Sequence, residues 1–308
     1  MSFLILIHEL SDINQKMICQ RKPIIASLLS VIPGLGQIYN GELGKAVLFL
    51  MLDLLVPIVF GLTGLLTKFY GYVVLAVFSI CFILYRVIDG FLAAKKLNSY
   101  QLKPFNKLHI YLAYVAVIVV FRMIWDFSDF SGVQTYNIPT PSMQPTLQPG
   151  DRIAADLNYY NHNHIEAGDI VVFNSPQGGV WTFRVIGIPR DSIEIKDGKV
   201  IVNNILIETM PTKEYIADGV EAIEYEEKIH PNKTIKTLRY KEKRDDNTLS
   251  YGKMKVPDDE YFLMGDNRDN ALDSRFIGTV KKEDILGRVV YSYWGNTVER
   301  ININFLNK

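Results

Sequence analysis

Cysteine is scarce in this chain, with only Cys19 and Cys81 among 308 residues, both in the apolar first 125 positions. The remainder therefore contains no disulfide, and no cysteine cluster is available for a structural zinc site. Histidine is nearly as rare: His8, His109, His162, His164 and His230 are scattered. Only His162 and His164 lie close together, and their stretch, YYNHNH, reads as a solvated loop. Net charge is absent too, with 33 basic residues against 33 acidic ones. A nucleic-acid binder normally carries a basic excess, so none is expected as a partner. With 48% hydrophobic and 21% charged residues, the chain is not a disordered one.

The apolar residues that remain are unevenly placed. They crowd into the first 125 positions, and from about 126 onward the composition is that of a water-soluble domain. Three runs predict membrane spans, at about 46–66, 69–93 and 108–125, since a spanning helix needs roughly 17–25 mostly apolar residues. A fourth run, 24–39, is interrupted by Pro33, Gly34 and Gly36 and predicts a kinked or re-entrant segment. The 94–108 connection holds Lys95, Lys96, Lys103 and Lys107 without an acidic residue. The positive-inside rule places it, together with residues 1–23, in the cytoplasm, and everything after about 126 outside. The opening MSFLILIHELSD lacks a basic start and a small-residue cleavage site, so no cleavable signal peptide is expected. Of the intramembrane charges, Arg86 and Asp89 stand at i, i+3 spacing near the cytoplasmic end, where a local pair or snorkelling suffices, whereas Asp53 is less easily accommodated. The stretch ASLLSVIPGLGQIYNGELGKA, within about 25–70, resembles a small two-span module with a PGLGQ-x-YNG signature, which implies a membrane-embedded accessory unit.

After residue 130 the pattern turns to short β-type runs bounded by turn formers: RIAAD, DIVVF, TFRVIGI, SIEIKDGKVIVNN, EYFLMGD and GRVVYSYW. Asp197-Gly198 between two alternating runs predicts a type I′ hairpin. A mainly-β domain over 126–308 is expected. Residues about 206–250 are charged, lack a clear period and look like an insertion or lid.

Three islands carry the chemistry: Ile138 to Asp151, Trp181 to Asp191, and Gly265 to Gly278. The first exposes one serine between prolines. The third is a loop too dense in charges and turn formers for a simple reversal, and such loops usually support a site. Together with Gly168-Asp169-Ile-Val-Val-Phe173, these islands resemble the boxes of type I signal peptidases. That family's boxes read P-S/T-x-S-M-x-P-T-L-x-x-G-D, G-D-x-V-x-F, K-R-V-x-G-x-P-G-D and G-D-N-R-D-N-S-x-D-S-R-x-x-G, and the resemblance covers about 130–295.

The resemblance implies an N-terminal helical transmembrane module followed by a mainly-β extracytoplasmic peptidase domain, anchored in a bacterial cytoplasmic membrane. It implies Ser142 as the nucleophile and Thr140 as an oxyanion-hole hydroxyl, with Met143 and Pro145 shaping the cleft floor. It also implies Asp273 and Arg275 as a charge pair propping the loop, with Arg184, Asp266, Asn267, Arg268 and Ser274 as supporting residues. Exported preproteins with their signal peptides, and the lipid bilayer, are the implied partners; no metal or organic cofactor is implied.

The chain departs from this pattern at one linked place. Phe183 stands where the family has its lysine general base, and Ala271 stands where a serine hydroxyl supports that lysine. Arg190 replaces a glycine nearby. A serine hydroxyl is a weak nucleophile until a base accepts its proton, and neither Phe183 nor the permanently charged Arg184 can do so. Two readings follow: a signal peptidase with a base relocated to Lys196, Lys199 or Lys213, or a catalytically impaired relative that binds signal peptides or a membrane partner. A third places the main work in the membrane module.

Overall fold

The computed structural model describes residues 18–124, 126–230, 233–242 and 250–306. The N-terminal apolar patch, Trp125 and the Asn232 of a formal glycosylation triplet lie outside the described residues. Two compact units result: Met1–Leu65 with Tyr70–Ser131, and Leu66–Phe69 with Gly132–Lys308.

In the first unit, strand β1 (Ile18–Cys19) pairs antiparallel with β2 (Tyr100–Gln101). The helices are α1 (Pro23–Leu29), α2 (Leu35–Asn40), α3 (Leu43–Leu62), α4 (Phe69–Lys96), α5 (Leu108–Ile124) and α6 (Phe127–Ser131). By length and composition, α3 and α4 can each cross a membrane; α5 is shorter. The expected kinked segment is the α1–α2 pair, broken where Gly34 takes the left-handed conformation at φ 77°. Gly36 permits the tight approach of these helices, because a Cβ there would lie 1.9 Å from Ser30 Oγ. The Gln and Asn of the PGLGQ-x-YNG signature tie α2 to α4: Gln37 Nε2 donates to Asp89 Oδ2 at 3.2 Å, and Asn40 Nδ2 to the Gly90 carbonyl at 2.9 Å.

Arg86 and Asp89 find partners on the facing helix rather than forming the local pair that their spacing allows. Arg86 Nη1 meets Asp53 Oδ1 on α3 at 3.3 Å, and Asp89 meets Lys45 Nζ at 3.1 Å. Arg86 is almost fully buried, and a buried charge needs a partner whose position packing can fix; a facing helix supplies one on each side.

The second unit is built on β3 (Val133–Asn137), β4 (Arg152–Asp156), β5 (Ile170–Asn174), β6 (Val180–Gly187), β7 (Ser192–Lys196), β8 (Lys199–Val202), β9 (Ile205–Leu206), β10 (Glu208–Ala217), β11 (Val220–His230), β12 (Lys233–Tyr240), β13 (Tyr251–Lys255), β14 (Glu260–Met264), β15 (Val280–Lys281) and β16 (Ile285–Trp294). They form a seven-stranded sheet in the order β15-β14-β6-β5-β16-β4-β3, a four-stranded sheet β13-β7-β8-β9, and a three-stranded sheet β10-β11-β12. Apolar residues of the large sheet, including Ile153, Val172, Phe173, Val185, Leu263 and Val289, close the core. Asp197 and Gly198 both have positive φ, 48° and 73°, as a type I′ hairpin requires.

The 206–250 stretch is not irregular in its described part: it is the β10-β11-β12 sheet. Its strand period is hidden in the sequence because two buried positions on β11, on opposite faces of the strand, are glutamates. Glu224 and Glu227 are both buried and are neutralised by Lys213 and Lys236, and by Arg239 and Arg268, respectively.

Candidate active site

Strand β3 is an edge of the large sheet, and the chain leaves it into the loop that carries Ser142. Gly150 N–H donates to the Ile138 carbonyl and Ile138 N–H to that of Asp151, closing this loop at its base. Within it, Pro141–Met143 forms one 3-10 turn, with Pro141 at the first helical position where its missing N–H costs nothing. The turn is fixed from outside by the Gly265–Gly278 loop. Asn267 N–H donates to the Ser142 carbonyl at 3.0 Å, and Asn267 Nδ2 to the Pro141 carbonyl at 3.3 Å.

Ser142, Thr140 and Met143 line a cleft of about 380 Å³. One wall is Tyr136 to Pro139, at the end of the edge strand; the other is Val180 to Phe183 with Leu272. Met143 reaches the cleft as expected, whereas Pro145 lines a neighbouring cavity with Thr146 and Arg184. The reversal after Met143 turns Pro145 away from Ser142.

Phe183 and Ala271 meet beside Ser142, and the meeting point is Gly265. A Cβ at Gly265 would lie 2.3 Å from the Ala271 Cβ, 2.5 Å from the Ser142 carbonyl oxygen and 3.4 Å from Phe183 Cε1. Phe183 is 4% exposed. Its ring packs at 5.9 Å from that of Phe173 and edge-on at 6.0 Å from that of Trp181. Where the resembling family places an amine and a hydroxyl, this chain has a closed apolar contact.

The next residue on β6 points the other way, as strand alternation demands. Arg184 is buried and holds Asp266 through two hydrogen bonds of 2.8 and 2.7 Å. It also donates to the Gly168 carbonyl at 2.8 Å and to Thr146 Oγ1 at 3.3 Å. One guanidinium therefore joins all four boxes. Asp273 receives Arg275 Nε at 2.8 Å and the Gly265 N–H at 2.9 Å. Both members are buried, so this is an interior brace for the Gly265 turn. Ser274 Oγ accepts from Leu263 N–H at 2.9 Å. Arg268 is buried against Glu227 of β11 at 2.7 Å, a contact ion pair whose N–H is not aligned for a hydrogen bond. Burial pulls the Arg268 pKa down while Glu227 pushes it back up.

No lysine, histidine or carboxylate lines the cleft among the described residues; Tyr136 is the titratable group there, and its hydroxyl donates to Gln134 Oε1 at 2.8 Å. Lys196 pairs with Glu194 at 2.8 Å on the β7–β8 hairpin, where Lys199 is also exposed. Lys213 pairs with Glu224 at 3.5 Å in the neighbouring cavity. None of the three enters the cleft. Sequence reasoning missed Lys233, whose pKa is lowered by burial although Asp169 opposes the shift. Its amine lies 3.2 Å from Asp169, which also receives Arg288 at 2.9 Å and the Tyr160 hydroxyl at 3.0 Å. That cluster packs against Gly168, on the Arg184 side of β6.

This combination of a β unit presenting a serine turn beside an edge strand, after a helical unit with two span-length apolar helices, defines a class of serine-turn β proteins with an apolar helical leader. The chain belongs to the signal peptidase family: residues 108–294 match the family described as Signal peptidase, peptidase S26. It is 33% identical over 164 residues to the probable signal peptidase I-2 of Synechocystis, covering 51% of this chain and 61% of that relative's length. It is 28% identical over 190 residues to signal peptidase IB of Staphylococcus aureus, covering 62% of this chain and 92% of the relative. The crystal structure of a signal peptidase I from Enterococcus faecalis matches 41% of this chain and 97% of its own, at 24% identity and a TM-score of 0.28.

Proposed function

We propose that the chain is a membrane-anchored serine endopeptidase directed at the signal peptides of exported preproteins, with Ser142 as its nucleophile. The observation that carries this reading is the Ser142 turn itself, locked by Asn267 at 3.0 Å and presented in an apolar cleft beside edge strand β3. An extended peptide can add to such an edge through main-chain hydrogen bonds. Thr140 lines the same cleft and, with the Ser142 N–H, is the proposed oxyanion donor. Arg184, Asp266, Asn267, Arg268, Asp273, Ser274 and Arg275 hold these groups in place and do not touch the reacting atoms. The proposed location is a bacterial cytoplasmic membrane, with the β unit on the outer side.

Phe183 cannot take the Ser142 proton, and the absence of a general base costs on the order of 10² to 10⁴ in rate. Hydrolysis is therefore expected to be slow. The paired apolar contact of Phe183 and Ala271 favours a second reading, in which the cleft chiefly binds signal peptides. Incubation of the purified protein with a preprotein, beside Ser142→Ala, separates the two. Cleavage that disappears in Ser142→Ala supports the endopeptidase; saturable signal-peptide binding without cleavage in either protein supports the binder. Cleavage undiminished in Ser142→Ala would remove Ser142 from the chemistry.

A further inference from the structure

A second cavity of about 380 Å³ lies between the loop that carries Ser142 and the inserted β10-β11-β12 sheet. Its character differs from that of the apolar cleft, because its walls bring Arg184, Arg300, Lys213 and Lys236 together around Thr146 and Glu224. Arg300 donates to the Thr146 carbonyl at 2.8 Å and also binds Asp151. Arg184 donates to Thr146 Oγ1 and spends its other donors on Asp266 and Gly168. These two guanidiniums are thus balanced by two carboxylates.

The lysines are not balanced. Lys236 Nζ lies 3.0 Å from one Glu224 oxygen and Lys213 Nζ 3.5 Å from the other, so two ammonium groups share one carboxylate. Glu224 is 3% exposed, while the lysine side chains are 55% and 60% exposed. The buried carboxylate anchors the pair, while both ammonium-bearing side chains stay more than half exposed. Four cations against Glu224, Asp151 and Asp266 leave one positive charge. A larger cavity in this unit, about 730 Å³, sets Asp258, Asp259, Glu260 and Glu283 against Lys281 and Lys282, a net negative lining that disfavours an anion.

We infer that this cationic cavity binds a small phosphate-class oxyanion, either inorganic phosphate or the headgroup of an anionic phospholipid. Phosphate oxygens accept charge-assisted hydrogen bonds from ammonium and guanidinium groups, and Lys213 and Lys236 supply the surplus donors. A bound oxyanion would bridge the inserted sheet to Thr146, four residues after Ser142, and so tie the insert to the Ser142 loop. This inference does not depend on peptide cleavage.

The test is calorimetric titration of the full-length protein in zwitterionic-lipid nanodiscs at fixed ionic strength, with inorganic phosphate and, separately, with glycerol 1-phosphate. Saturable binding to one site is expected. Tighter binding of phosphate identifies the free ion as the ligand; tighter binding of glycerol 1-phosphate identifies the lipid headgroup. The double change Lys213→Gln with Lys236→Gln should weaken binding by about tenfold or more, the scale of a lost charged hydrogen bond. Lys196→Gln, on another sheet, should leave it unchanged. Because the lysine changes strand a buried carboxylate, Glu224→Gln is the second variant; it releases both ammonium groups and should tighten binding. Absence of saturable binding of either anion, or equal binding by the parent and by both the double lysine variant and Glu224→Gln, overturns the inference.

Discussion

Asn267 N–H donates to the carbonyl oxygen of Ser142 at 3.0 Å, across more than a hundred residues of sequence. Asn267 is in turn bracketed by β12, since Leu238 N–H donates to the Asp266 carbonyl at 2.8 Å and Arg268 N–H to the Leu238 carbonyl at 3.0 Å. The three-stranded sheet therefore grips the segment that grips Ser142.

The side-chain part of that grip is the buried Arg268–Glu227 pair. Removing one member of a buried pair costs about 3–5 kcal/mol when the other is left alone, and removing both costs less; here Arg239, 3.4 Å from Glu227, softens the loss. Arg268→Met alone should thus lower the unfolding midpoint in urea more than Arg268→Met combined with Glu227→Gln. Additive losses in this double-mutant cycle would show that the pair does not couple the two elements.

Restoring the family's chemistry requires two changes together. Phe183→Lys with Ala271→Ser should raise preprotein cleavage above the parent, and Phe183→Lys alone should raise it less, because the amine would lack a hydroxyl to position it. The pH profile should rise below the ordinary lysine pKa, since the surroundings of Phe183 are buried and apolar and disfavour the charged amine. For the same reason the double variant should melt at a lower temperature. A double variant that cleaves more slowly than an active parent would point to a base supplied from elsewhere.

Gly265 is the position where Ser142, Ala271 and Phe183 converge, and the space there admits only hydrogen. Gly265→Ala forces a Cβ to 2.3 Å from Ala271 and 2.5 Å from the Ser142 carbonyl. Overpacking of this kind costs about 1–3 kcal/mol. A lower unfolding midpoint is expected, with weaker signal-peptide binding as the Ser142 turn shifts. Unchanged stability and binding would mean that the contact is looser than the geometry indicates.

Orientation can be read with reporters. A fusion after residue 100 should report a cytoplasmic position and one after residue 160 an external position, as the lysines of the 94–108 connection require. The reverse pair would place the β unit on the wrong side for exported substrates.

The residues that meet at the site were legible in the sequence because they sit in short boxes with fixed internal spacing. Asn267 meets Ser142, and Arg184 meets Asp266 behind it, so the boxes do come into contact with one another. The Asp197-Gly198 hairpin was legible too, since its turn chemistry is local. What escaped was set by long-range charge pairing. Glu224 and Glu227 belong to a charged stretch without a clear sequence period, yet both are buried, which concealed β11. Arg86 read as the neighbour of Asp89 and instead crosses to Asp53. A lysine's sequence position gave no hint of its sheet, so Lys196, Lys199 and Lys213 were candidates for a cleft they do not line.

The reach of Arg184 has a consequence for how this chain can vary over time. Its guanidinium touches Thr146, Gly168 and Asp266 at once, so those three positions share one set of donors. Substitutions among them should show strong epistasis, each tolerated or lethal according to what the others hold. Phe183 stands next door on the strand yet faces the other way, outside that shared set. Position 183 is therefore free to change without disturbing the donors that Arg184 shares out.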